Sequence, residues 1–500
     1  MADGLAPVLM VQGTASSAGK STLVAGLCRL FARRGLRVAP FKAQNMSNNA
    51  AVCPGGGEIG RAQFAQAVAA RVTPTVDMNP ILLKPQAGAS QVVVRGQVHG
   101  VQTARDYFGP KRPDLWPVVV DALDRLRATF DLVIAEGAGS PAEINLRARD
   151  IVNMRVALHA QADVLLVGDI DRGGVFASLL GTWEWLAPDE RALVRGFVLN
   201  KFRGDASLLA PAPALLEQRT GVPVLGVLPY VEDLLVPEED VASLTQRHVA
   251  NALVDIAVIH LPHLANFDEF GLLAAEPCVQ VRYVSRPGEL RAPDLVIVPG
   301  SKTTIPDLLW LHQRGLAERI RWLAQTTTPV LGVCGGYQML GTAVHDPQQV
   351  ESVQLFAPGL GLLPVETELA GAKRLVYRKG RVLDRGGGVW QSLADVPVEG
   401  YEIHLGRTTG PAGDTSFLDL DDGLEGSVAA DAAVAGTHVH GLLDRPEPRH
   451  ALLQALAARR GFRWRPAAAS VSDPYDAFAD VVEATVQLDG LGASFLAPVA

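Results

Sequence analysis

The stretch VLMVQGTASSAGKSTLVAGLCRLF, residues 8–31, decides the fold of the first half of the chain. Four apolar residues (8–11) predict a buried strand, the small-residue loop 13–21 follows, and an amphipathic run from Leu23 to Phe31 predicts a helix. A phosphate-binding loop normally sets four residues between its first glycine and its Gly-Lys pair. Here Gly13 and Gly19 are separated by five, residues 14–18. A plain glycine turn is the alternative reading. The strand–loop–helix order nevertheless puts backbone N–H groups and the positive end of a helix where an anionic phosphate would sit. Gly13, Thr14, Gly19, Lys20, Ser21 and Thr22 are therefore candidate nucleotide-binding residues, with Lys20 on the terminal phosphates and Ser21 on magnesium.

Outward from this loop, short β-branched runs alternate with longer amphipathic ones up to residue 230, the pattern of a parallel sheet flanked by helices. The acidic stretch VEDLLVPEEDVASLTQRHVAN (231–251) interrupts the rhythm, which restarts with DIAVIHLP, DLVIVPG and PVLGVC. The expected class is α/β. A parallel-sheet phosphate-loop domain is expected over 1–235, a linker over 236–252, a second α/β domain over 253–447 and a helical tail over 448–500.

Bulk properties narrow the function. Five hundred residues at 48% hydrophobic content can bury large cores, and 45 basic against 53 acidic residues leave a net charge of −8. That balance argues against bulk electrostatic binding of nucleic acid. No apolar run has the length needed to span a bilayer, and the opening MADGLAPVLMVQG lacks the basic region of a secretory signal. A cytoplasmic protein with no nucleic-acid or membrane partner is expected. Four scattered cysteines without CxxC spacing suggest neither a disulfide framework nor a zinc site.

Several polar residues stand where chemistry would need them. Glu136 follows the apolar run LVIA, at the carboxyl edge where open α/β sheets bind ligands, and it is a candidate magnesium ligand or else a helix cap. Lys42 and Lys84 are candidate cations for phosphate or carboxylate, and the amides Gln44, Asn45, Asn48 and Asn49 could bond carboxylates or make turns. Asp169 and Asp171 flank the end of ADVLLVGD, either near magnesium, orienting Arg172, or capping a helix.

The second half carries a different signal. PVLGVCGGYQML (329–340) sets Cys334 between a strand and a helix among small residues, a nucleophile-elbow arrangement. Gly335 and Gly336 let the chain turn tightly and aim N–H groups at a developing oxyanion, and the helix start lowers the thiol pKa. GTHVHGLL (436–443) offers His438 and His440 as bases; strand alternation places both on one face and does not choose between them. His260 and His263 look like a metal pair, but without a third well-spaced ligand they read as turn and packing residues.

The five-residue loop is similar to that of dethiobiotin synthetase and its relatives, which activate a carboxylate or carbamate by phosphorylation. FKAQNMSNN (41–49), EIGRAQ (58–63), MNPILLKP (78–85), EGAGSPAEINL (136–146), DIVNM (150–154), DIDRGGVFA (169–177) and NKFRGD (200–205) together resemble the cobyrinic/cobyric acid synthase family, glutamine-dependent amidases of corrin side chains. The second half resembles that family's triad-type glutamine amidotransferase domain. The resemblance implies Cys334 as nucleophile, His440 as base through the G-T-x-x-H-G pattern, and Gly300 and Ser301 of VPGSKTTIPDL (298–308) as oxyanion donors with Gly335. It implies that Asn200 reads adenine. It also implies ATP and Mg²⁺ as cofactors, L-glutamine and a corrinoid as substrates, and amidation of the b, d, e and g carboxylates of adenosylcobyrinic acid a,c-diamide. NMSNN, EIGRAQ and DIDRGG point away from the sister enzymes that amidate a and c, and a homo-oligomer is compatible with this reading. One departure stands out. The wider class carries a glutamate two residues after the histidine, where this chain has Leu442, so the site is a Cys-His dyad or takes an acid such as Glu402 or Asp444.

Overall fold

A computed structural model of the chain describes residues 4–86, 88–107, 109, 114–231, 248–371, 373–385, 387–411, 415–466 and 473–491. The chain divides into two compact units, one of residues 1–47, 53–237 and 471–500, the other of 48–52 and 238–470. Residues 236–247 of the expected linker lie outside the described residues.

The first unit is built on six strands: β1 (Val8–Gly13), β2 (Val38–Phe41), β3 (Leu132–Glu136), β4 (Asp163–Asp169), β5 (Val194–Phe202) and β6 (Val224–Pro229). They form one parallel sheet in the order β6-β5-β4-β1-β3-β2. Every residue of β1 is buried, as expected of a strand covered by helices on both faces. The helix α1 (Lys20–Arg33) follows β1 and packs Leu23, Val24, Leu27 and Leu30 into the core, and α2 (Arg61–Ala69) lies beside it. In register, Val11 of β1 pairs with Glu136 of β3, and Asp169 of β4 with Asn200 of β5. The polar candidates thus gather at the carboxyl ends of strands around the point where strand order reverses, the place where such sheets bind ligands. The ILLKP part of MNPILLKP lies in an antiparallel ribbon of Ile81–Gln86, Ala89–Val94 and Gln97–Gln102.

The second unit contains β7 (Val254–Ile259), β8 (Val279–Val284), β9 (Leu295–Val298), β10 (Val330–Val333), β11 (Pro397–His404), β12 (Ser427–Val428), β13 (Val434–Thr437) and β14 (Val439–His440). Its main sheet runs β8-β7-β9-β10-β13-β12, parallel except for β12. After β13 the chain leaves this sheet at His438, and β14 pairs antiparallel with β11, Tyr401 opposite His440. The short helix α3 (Gly335–Leu340) starts directly after β10.

The stretch expected to be a single tail, 448–500, is divided. Helix Pro446–Arg459 packs into the second unit's core, whereas helix Pro474–Thr485 packs on α1 of the first. Its Phe478 lies where a Cβ on Gly26 would stand, 2.7 Å away, and Asp473 pairs with the buried Arg29 at 2.8 Å. Apolar burial against α1, not tail-like independence, explains why this helix forms.

Candidate functional site

The loop after β1 ends at Gly19 in the left-handed region (φ 93°), where a Cβ would stand 1.9 Å from Asn200 Nδ2. Only glycine satisfies both conditions. Asn200 Nδ2 donates to the carbonyl of Ala18 at 2.9 Å, and Lys201 Nζ to that of Ser17 at 2.7 Å, so β5 braces the loop from the side. Lys20 is buried and donates through Nζ to the carbonyls of Ala15 (2.8 Å) and Gly139 (3.1 Å), which folds the side chain back over its own loop. No side chain caps the start of α1, so its first N–H groups point into the loop without a side-chain acceptor.

Glu136 sits at the end of β3, 1% exposed. Its Oε1 accepts from Ser21 Oγ at 2.8 Å and from Lys42 Nζ at 2.7 Å, and its Oε2 accepts from Gln66 Nε2 at 2.6 Å. A carboxylate and a hydroxyl brought together beside a phosphate loop are hard oxygen donors of the kind Mg²⁺ takes, so the residues fit that ion. Lys42 therefore meets a carboxylate of its own chain, and Lys84 does the same with buried Glu58 at 3.0 Å. Gln44 Oε1 accepts from Tyr107, Asn45 donates to Gln63, and Asp169 accepts from Lys201 Nζ at 3.1 Å and from the Asp171 amide. Asn49 and Ala50 cluster instead with the second unit, where Asn49 Oδ1 accepts from the Phe267 amide and the Ala50 amide donates to Asn266 Oδ1.

In the second unit Cys334 has φ 53° and ψ −112°, a strained conformation for a residue with a Cβ, forced by the sharp passage from β10 into α3. The turn is crowded: a Cβ on Gly336 would lie 1.8 Å from the Val298 carbonyl oxygen, and one on Gly335 2.9 Å from the Ser301 nitrogen. The Ser301 side chain is turned to Asp307 at 2.7 Å, which leaves its backbone facing the elbow. Gly300 is pressed against the His440 ring, with 3.0 Å between a Cβ there and Cε1.

His440 is 1% exposed, stacks on Tyr401 with ring centroids 5.4 Å apart, and interacts electrostatically with Cys334, whose Sγ donates to the Ile403 carbonyl at 3.7 Å. Its Nδ1 lies 2.9 Å from Glu269 Oε1, and Glu269 Oε2 accepts from the Gly441 amide at 3.0 Å. Burial opposes the charged imidazole, but the Glu269 carboxylate and then the Cys334 sulfur outweigh it, and the pKa is raised to about 10.

Two sequence expectations need correction here. His438 and His440 do not share a face, because the chain changes sheets between them and the alternation rule holds only within one strand. His438 instead pairs with Glu425 through Nδ1 (3.1 Å), contacts Thr408 through Nε2 (3.1 Å) and stacks on His404 at 4.0 Å. Nor does Glu402 orient the base: it points to Arg378 (2.7 Å), Arg374 (2.7 Å) and His404 (3.0 Å). Burial opposes its ionisation, yet His404 and Arg378 hold its pKa down at about 2. Asp444 lies beside Gly441, while the carboxylate on Nδ1 is that of Glu269. Sequence spacing could not find Glu269, 171 residues before the histidine; its one signal was an acid just past a strand end in IHLPHLANFDEF. Of the tempting histidine pair, His260 packs edge-on against Tyr283 and His263 pairs with Asp307 at 2.8 Å.

Comparison with known proteins agrees with this division of chemistry. Residues 9–242 match the CobQ/CobB/MinD/ParA nucleotide binding domain, and residues 255–448 match the CobB/CobQ-like glutamine amidotransferase domain. Over its length the chain is 49% identical to a cobyric acid synthase of Sorangium cellulosum, with 96% of each chain covered. It is 51% identical to that of Desulforudis audaxviator (97% of this chain, 99% of the relative) and 50% identical to that of Chloroflexus aggregans (95% and 96%). Among the described residues no helix is long and apolar enough to cross a membrane.

Proposed function

Because the chain belongs to the cobyric acid synthase family, glutamine-hydrolysing ligases of cobalamin biosynthesis, we propose that it amidates the b, d, e and g carboxylates of adenosylcobyrinic acid a,c-diamide, using ATP and glutamine nitrogen. The observation that carries this reading is the presence in one chain of two unlike sites, a phosphate loop facing a buried carboxylate and a strained cysteine against a buried histidine.

In the amidotransferase unit, the Cys334 thiolate attacks the side-chain carboxamide carbon of glutamine. Backbone N–H groups of Gly335 and of the Gly300–Ser301 turn stabilise the oxyanion. The C–N bond breaks as His440 gives its proton to the departing ammonia, and water, deprotonated by His440, releases glutamate from the thioester. In the nucleotide unit, Gly13, Thr14, Gly19, Lys20, Ser21 and Thr22 hold the triphosphate and Asn200 faces the base. Ser21 and Glu136 would hold Mg²⁺, which supplies charge neutralisation to the phosphates when bound. A corrinoid carboxylate oxygen attacks the γ-phosphorus, ADP leaves, and ammonia displaces phosphate from the acyl carbon. Lys42, Gln44, Asn45, Lys84 and Asp169 are the candidates for positioning substrate or phosphate.

Isotope tracing tests the route. With ¹⁸O in the substrate carboxylates, one label per amide formed is expected in inorganic phosphate. Label kept entirely in the corrinoid while ATP is consumed refutes the acyl phosphate.

A further inference from the structure

We propose that Glu269, supplied from the turn after β7, is the acid that orients and charges His440, taking the part that the wider class gives to a residue two places beyond the histidine. The proposal rests on the glutaminase reading of Cys334 and His440 and deepens it.

Leu442 occupies the usual place of the acid and is buried and apolar, so that position offers no acceptor. Glu269 comes from the opposite direction in sequence. It lies in the 3₁₀ turn Phe267–Phe270, is 7% exposed, and spends both oxygens at the base, one on the His440 ring and one on the next backbone N–H. A carboxylate bridging Nδ1 and the Gly441 amide fixes both the position and the tilt of the ring. With Nδ1 so engaged, Nε2 is the nitrogen left for the sulfur.

The turn itself is braced. Asn266 adopts a left-handed conformation (φ 54°), and its side chain accepts from the Ala50 amide at 2.9 Å. The Phe267 amide donates to Asn49 Oδ1 at 3.3 Å, and Phe267 and Phe270 are buried. The NMSNN stretch thus helps hold the acid, a role that its sequence position near the phosphate loop gave no reason to expect.

The charged and titratable groups facing His440 are Glu269, Cys334 and Tyr401, with Asp444 beside Gly441 and Tyr283 in the field of Glu269. Glu269 is the carboxylate in hydrogen-bond contact with the imidazole, so it stabilises imidazolium beside thiolate. Removing its charge makes the imidazolium easier to deprotonate. The alkaline limb of glutaminase activity, where the proton needed by departing ammonia is lost, should therefore move to lower pH.

The experiment uses the full chain and reads glutamate release from glutamine. Glu269→Gln should lower kcat by about 10²–10³-fold with KM for glutamine changed less than about threefold, and should shift the alkaline limb downward. Alkylation of Cys334 by iodoacetamide, followed on its own peptide because Cys278 is exposed and reacts too, should slow at neutral pH as thiolate is lost. Amidation from ammonium salts should persist and reports that the protein is folded. Should the glutamine variant not fold, Glu269→Asp, which keeps the charge but draws it away from Nδ1, carries the test: alkylation slowed at neutral pH, with its profile moved to higher pH, supports the proposal. Wild-type kcat, pH limb and alkylation in a folded Glu269 variant overturn it. Absence of glutaminase in the wild type would instead sink the reading of the site as a whole.

Discussion

The loop after β1 and the elbow after β10 solve the same geometric problem in opposite ways. Each leaves the carboxyl end of a parallel strand and enters a helix, and each has a positive-φ residue just before the first helical turn, Gly19 in one and Cys334 in the other. In the first, the unusual backbone belongs to a glycine and the charge to the next residue, Lys20, whose side chain folds back over a loop of small residues. In the second, the unusual backbone belongs to Cys334, the proposed nucleophile, and the glycines that follow are crowded by Val298 and Ser301. The tightness suits a small planar amide and holds Sγ in one place. One strand–turn–helix plan thus carries either a glycine followed by a lysine or a cysteine followed by glycines at its strained position, the geometry on which the proposed anion site and the proposed nucleophile respectively rest.

The sharpest way to break this comparison is to remove the proposed nucleophile. Cys334→Ser keeps the elbow but replaces the thiolate with a hydroxyl, and glutamine-dependent synthesis should fall by more than about 10⁴-fold. Synthesis from ammonium salts should persist and improve at higher pH, where more free NH₃ is present. A folded Cys334→Ser protein that is dead with ammonia as well would mean that the two sites are not separable.

Lys20→Ala tests the other side. It removes a charge that matters most as negative charge builds up on the transferring phosphoryl group, so amidation should drop about 10²–10³-fold with glutamine and with ammonia alike. Glutaminase activity should stay within a few-fold of wild type. Near-normal amidation by Lys20→Ala would reduce the loop to a structural turn.

The two sites also differ in how far the sequence disclosed them. The phosphate loop is local: its strand, glycines, lysine and helix are contiguous, and Ser21, at the start of α1, meets Glu136 because β1 and β3 are adjacent parallel strands whose carboxyl ends the apolar runs already marked. The elbow around Cys334 was legible for the same reason. Its surroundings were not. Glu269 reaches His440 through tertiary packing that no spacing rule encodes, and the sheet change at His438 is invisible to a period-two pattern that continues through it. Helix Pro474–Thr485 falls in sequence that read only as part of a helical tail, and nothing in it named α1 as the surface it covers.

The smallest expected effect falls on the histidine that alternation could not set aside. His438 touches Glu425, Thr408 and the Tyr337 and His404 rings, none of which is Cys334, His440 or Glu269, so His438→Ala removes contacts without altering that trio directly. Glu425 is not orphaned by the change, because it still accepts from the Thr437 hydroxyl and from the backbone amide of residue 438. The cost should therefore be that of a lost buried ring and two hydrogen bonds, about 1–3 kcal/mol in denaturant titration. Glutaminase kcat should change less than about fivefold, against the far larger loss expected for His440→Ala. A His438 variant as inactive as Cys334→Ser, beside a His440→Ala protein that still hydrolyses glutamine, would reverse the assignment and place the base in the His404–His438 stack.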